Sequence, residues 1–68
     1  MELHNRVREE RVRRDLTQVS LADAVGVTRQ TIIAIEKGKF VPSVKLSLEL
    51  AGFLGLPLES LFWLEETK

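Results

Sequence analysis

Apolar residues recur along the chain at helical spacing, in runs separated by Gly, Pro or short polar residues that start and stop helices. Five helical segments follow from this pattern. The first covers residues 2–14. Thr17 then offers a side-chain oxygen to the free amides of a second helix, 18–25, which stops at Gly26. Thr28 caps a third that runs to Lys37 and is ended by Gly38. Pro42 and Ser43 open a fourth, 43–54, closed by Gly55. Pro57 begins the last, ending near Glu65, because proline is tolerated where a first-turn amide has no intrahelical partner. No strand alternation, repeat or low-complexity run stands out, so the expected fold class is all-α, one domain of residues 1–68.

The interval from Gly26 to Thr28 leaves only about three residues between the second and third helices, which is helix-turn-helix geometry. On the third helix, Ile32, Ile35 and Glu36 share a face with Thr28, and the two isoleucines look toward Leu21, Ala22 and Val25 of the second. Gln30, Ile33, Ala34 and Lys37 fall on the opposite face, flanked by Arg29 and Thr31. That outer face is not needed for packing. In the last two segments Val44, Leu46, Leu50, Ala51, Leu54, Leu58 and Leu61 form the expected core face. Leu48, Phe53, Phe62, Trp63 and Leu64 are left over, and an exposed apolar cluster of that size marks an interface.

Composition removes several function classes. With no Cys, disulfides, thiolate zinc sites and cysteine nucleophiles are excluded. His4 is the single histidine and is read as a solvated side chain, so no metal or cofactor is expected. No paired-carboxylate cleft, activated nucleophile or glycine-rich phosphate loop points to an enzyme. No apolar run approaches the roughly 20 residues needed to span a bilayer, and the expected location is the cytoplasm. The formal net charge is zero, but nine Lys and Arg face six Asp and Glu up to Lys45, against one Lys and four Glu beyond it. A neutral chain arranged in this way can still present one cationic face.

Residues 16–43, LTQVSLADAVGVTRQTIIAIEKGKFVPS, together with SLELAGFLGLPLESLF at 47–62, resemble the phage-repressor and Cro type of helix-turn-helix domain, often called the xenobiotic-response-element family. The resemblance rests on the spacing of Leu16, Thr17, Gln18, Leu21, Ala22, Gly26, Thr28 to Ile32, Ile35, Glu36, Gly38, Pro42 and Ser43. It implies a five-helix repressor-like DNA-binding domain and a transcriptional regulator whose third helix reads the major groove of double-stranded DNA. The residues suit that role. An Arg fork matches guanine and a Gln amide matches adenine, which makes Arg29 and Gln30 base readers, with Thr31, Ile33 and Ala34 completing the base-facing set. The resemblance marks Gln18, Thr28, Lys37 and Lys39 as phosphate contacts, which position rather than read. It also implies an inward ion pair between Arg11 and Glu36, and at position 10 this chain has Glu where the family is usually apolar.

Arg8, Arg13 and Arg14 are read as a solvated face. The left-over apolar residues, Leu48, Phe53, Phe62, Trp63 and Leu64, are expected to form a homodimer interface, because a two-fold pair matches a pseudo-palindromic site. The rival reading is a protein-binding module on the same scaffold, such as an antitoxin-like partner.

Overall fold

The computed structural model describes residues 1–66, so the last two residues of the expected 1–68 domain lie outside the described residues. The order of elements is β1 (Glu2–Asn5), α1 (Val7–Arg13), α2 (Gln18–Val25), α3 (Arg29–Glu36), α4 (Val44–Leu54), α5 (Leu58–Leu61) and β2 (Phe62–Glu65). Five helices are present as expected. The all-α reading needs correction, because β1 and β2 pair antiparallel in a two-stranded sheet. The segment 2–14 is thus a strand followed by a shorter helix, and the segment 57–65 is one helical turn followed by a strand.

The pairing explains why. Leu3 stands opposite Leu64 and Asn5 opposite Phe62, while Glu2 faces Glu65 and His4 faces Trp63. Since facing residues share a side of a sheet, one side carries Leu3, Asn5, Phe62 and Leu64, and the other Glu2, His4, Trp63 and Glu65. The first side delivers Phe62 to the core, where it is 8 % exposed. The second is a polar and aromatic cluster in which the His4 ring stacks on Trp63 at 6.2 Å and the Arg6 guanidinium lies 4.8 Å above the indole. His4 is therefore half-buried rather than solvated.

Helix boundaries follow capping chemistry. Thr17, Thr28 and Ser43 each accept a hydrogen bond from the backbone amide three residues on, at Ser20, Thr31 and Leu46. Gly26 and Gly55 end α2 and α4 in the left-handed conformation, at φ of 73° and 74°. Asp15 adopts φ 56° in the turn after α1, a conformation that Asp tolerates better than most residues.

The core gathers Val7 of α1, Leu21, Ala22 and Val25 of α2, Ile32 and Ile35 of α3, and Leu46, Leu50, Ala51 and Leu54 of α4, closed by Leu61 and Phe62. Val44, expected in this set, is 73 % exposed at the first residue of α4, and Leu58 is only half-buried. With its interior so small, the domain also uses polar anchors. Arg11 Nε donates to Glu36 Oε2 at 2.7 Å, its second terminal nitrogen reaches Glu36 Oε1 at 3.3 Å, and its first donates to the Leu16 carbonyl at 2.8 Å. Gln18 Nε2 donates to the same Glu36 Oε1 at 3.1 Å. One carboxylate therefore joins α1, α2 and α3.

Glu10 is the second anchor. Its side chain is buried and accepts from Arg14 at 2.7 Å, with Arg13 at 3.5 Å, so Arg14 belongs to an ion pair rather than to the solvated face expected for it. The Arg14 hydrogen bond holds the Glu10 carboxyl below its ordinary value of 4.5; burial pulls the other way and the charge of Arg13 reinforces Arg14. Among the described residues every buried side-chain N or O has a partner.

Two outcomes follow. Replacing Arg11 with Met leaves the Glu36 carboxylate buried beside Gln18 alone, and should cost about 3 to 5 kcal/mol in urea denaturation, with much of the loss recovered when Glu36 is also made Leu. For Glu10 the folded-state pKa lies below the unfolded one, so its contribution is complete above about pH 4.5 and is lost as pH falls through the lower, folded value. Urea midpoints of wild type and Glu10→Gln should therefore differ at pH 6 to 7 and converge on acidification; a gap that is constant with pH would show that the carboxylate charge contributes nothing.

Candidate nucleic-acid interface

Burying Ile32 and Ile35 fixes how α3 is rotated about its axis. Residues at helical offsets from that pair must then point away from the core. Arg29 and Gln30, in the first turn, are exposed; Thr31, Ile33 and Ala34 are half-buried; Lys37 and Lys39 beyond the helix end are exposed. Arg29, Lys37 and Lys39 form no ion pair among the described residues, so three cations line the outer side of this helix and its exit uncompensated.

Thr28 is exposed at the N-cap, and its hydroxyl lies 3.2 Å from that of Thr31 while accepting from the Thr31 amide at 3.3 Å. Both hydroxyls are thus tied into the start of α3. Gln18 opens α2, and one hydrogen of its Nε2 is spent on Glu36. An amide nitrogen has two, so the second and the backbone N–H of this first helical residue remain for an anion at the positive helix end. Arg11 and Glu36 lie behind the interface, their side chains 12 % and 4 % exposed.

The surface set expected to be apolar divides. Leu48, Phe53 and Leu64 are exposed and Trp63 is half-buried, its Nε1 donating to Glu65 at 2.7 Å. Phe62 leaves the set, because strand alternation turns it inward where a helix through residue 65 would not. Val44 and Val41 join the exposed apolar surface instead. Leu3, Pro42, Val44, Leu58, Phe62 and Leu64 line an open groove of about 460 Å³ where the inner side of the sheet overhangs α4 and α5.

Sequence reading did not single out Asn5, whose side chain donates to the Ile35 carbonyl at 3.1 Å and accepts from the Val7 amide at 3.1 Å. No local pattern signals a bond between residues thirty positions apart.

Comparison with known proteins agrees with this architecture. A family model described as Helix-turn-helix matches residues 7–61. The chain is 47% identical over 64 residues to the uncharacterized HTH-type transcriptional regulator YgzD of Bacillus subtilis, covering 94% of this chain and 97% of that one. It is equally similar, over the same shares of both chains, to an uncharacterized HTH-type transcriptional regulator of Methanocaldococcus jannaschii. It is 38% identical over 63 residues to the cryptic phage CTXphi transcriptional repressor RstR of Vibrio cholerae, covering 93% of this chain and 57% of the repressor. With a short turn between α2 and α3, capped helices on either side of it and a free polar face on the second, the chain belongs to the helix-turn-helix family of the phage-repressor, xenobiotic-response-element type, among DNA-binding transcriptional regulators.

Proposed function

We propose that this protein represses transcription as a homodimer, each copy laying α3 in the major groove of double-stranded DNA. The observation that carries the reading is the exposure of Arg29 and Gln30 in the first turn of a helix whose other side is locked into the core. In helix-turn-helix proteins the first residues of the second helix meet base edges while the preceding helix crosses the backbone. Gln30 presents donor and acceptor to adenine, Arg29 a fork to guanine, and Ile33 and Ala34 apolar surface to a thymine methyl. Thr31 completes the base-facing set. Lys37, Lys39, Thr28 and the start of α2 at Gln18 hold phosphates on either side. Repression comes to this chain by analogy with the name of the Vibrio cholerae relative.

A dimer fits the distribution of charge and apolar surface. The cations sit mostly with α1 to α3, whereas Leu48, Phe53, Trp63 and Leu64 lie in the acidic second half of the chain. Two copies joined through that half would place their recognition helices about 34 Å apart, one turn of DNA. The rival occupant of the same apolar surface is a different protein, as in the antitoxin-like reading, and the open groove beside Val44 and Leu64 favours it. Ionic strength separates the two: duplex affinity falls steeply with salt through counterion release, whereas an apolar protein contact changes little.

Selection from random duplexes with the purified protein should return a two-fold-related consensus. Gln30→Ala should lose preference at one base position per half-site, at about 1 to 3 kcal/mol, while Lys39→Ala should weaken all duplexes alike and reduce the salt slope by about one. Unaltered preference in Gln30→Ala would remove it as a reader. Leu64→Asp should sediment as a monomer and bind a full site more weakly, while keeping its helical circular dichroism; a dimer that survives this change would place the interface elsewhere.

A further inference from the structure

We infer that Asn5 is a positioning residue for the recognition helix, linking the two-stranded sheet to the last turn of α3 so that the presentation of Arg29 and Gln30 depends on β1 being paired. The inference rests on the DNA-reading role proposed above. Three bonds at this point of the chain support it. The backbone of Asn5 is paired opposite Phe62 at the inner end of the sheet, and the next amide, Arg6 N, donates to the Leu61 carbonyl at 3.0 Å. The Asn5 Oδ1 accepts from Val7 N at 3.1 Å and so starts α1, where Arg6 supplies no side-chain cap. Its Nδ2 donates to Ile35 O at 3.1 Å, across a polar cleft whose walls include Glu2, His4, Lys37 and Val41.

Ile35 O also accepts from Gly38 N at 3.0 Å, so both lone pairs of this carbonyl at the helix end are used. The neighbouring residue, Glu36, is held by Arg11 and Gln18. Consecutive residues of α3 are thus gripped by two separate sets of partners: 36 by α1 and α2, and 35 by the sheet. The grip is at the C-terminal end, whereas the base-reading side chains are at the other. Five to six residue steps of about 1.5 Å place them roughly 8 to 9 Å from the pin, so a small tilt at Ile35 is enlarged at Arg29 and Gln30. Burial of Ile32 and Ile35 and the bonds to Glu36 set the rotation and seat of α3; Asn5 adds a further point, outside the apolar core, that holds the direction of its end.

The two functions of the Asn5 amide can be separated by substitution. Asn5→Asp and Asn5→Ser each retain an oxygen able to accept from Val7 N, and neither keeps the amide donor that reaches Ile35 O; the serine variant adds no charge. Both should stay folded, with thermal midpoints lowered by no more than about 4 to 8 °C. Both should discriminate the selected duplex from a scrambled one about tenfold less well than wild type, with an unchanged salt slope. In the free proteins, the backbone amide resonances of Arg29, Gln30 and Thr31 should shift although these residues are remote from the substitution. Wild-type discrimination together with unmoved resonances would overturn the inference, as would a loss of binding that tracks only the folded fraction. If the wild-type protein discriminates among no duplexes, the DNA-reading proposal fails on its own, and the resonances of the first turn of α3 decide the role of Asn5: moved supports it, unmoved rejects it.

Discussion

A single carboxylate organises the half of this domain that meets the outside world. Glu36 sits at the end of α3, almost without solvent contact, and receives Arg11 from α1 and Gln18 from α2. Leaving that charge unpaired is so costly that the three helices cannot separate independently. The consequence is orientational. Hydrophobic burial of Ile32 and Ile35 fixes the rotation of α3, but apolar contacts are non-directional and allow sliding. Forked hydrogen bonds from a guanidinium to a carboxylate do not, and in a core this small they supply the directional element that packing lacks.

What was legible in the sequence follows from how local the determining physics is. Thr17, Thr28 and Ser43 cap helices through bonds that span three residues, and Gly26, Gly38 and Gly55 end turns through their own backbone angles, so each could be read in place. The faces of α2 and α3 were legible because eight residues suffice to show helical spacing. The sheet was not. Four residues in ELHN and FWLE cannot be told from helix spacing, and the choice is made by a partner strand at the far end of the chain. The pairing turns Phe62 inward, where a helix over the same residues faces it outward, and stacks His4 on Trp63; Val44 stays exposed for a separate reason, its place at the first residue of α4.

The candidate interface was legible to a different degree. That Arg29 and Gln30 lie outward follows from the period of the helix and the positions of two isoleucines. That Arg14 is drawn into an ion pair with a buried Glu10 does not follow from periodicity, since an exposed arginine and a partnered one look alike in a helical pattern. Charge segregation was visible directly, because cations and anions can be counted by position. Its structural counterpart is a molecule with three cations beside and beyond α3 that form no ion pair among the described residues, and with a net acidic segment beyond Lys45 that carries most of the apolar groove.

The sheet that joins the two ends of the described chain is also the contact that closes the longest loop. Closing it costs more chain entropy than any helix–helix contact between neighbours in sequence, and two four-residue strands repay little by themselves. The strands therefore lean on the rest of the fold: their pairing delivers Phe62 to the interior, and the interior in turn keeps the two ends together.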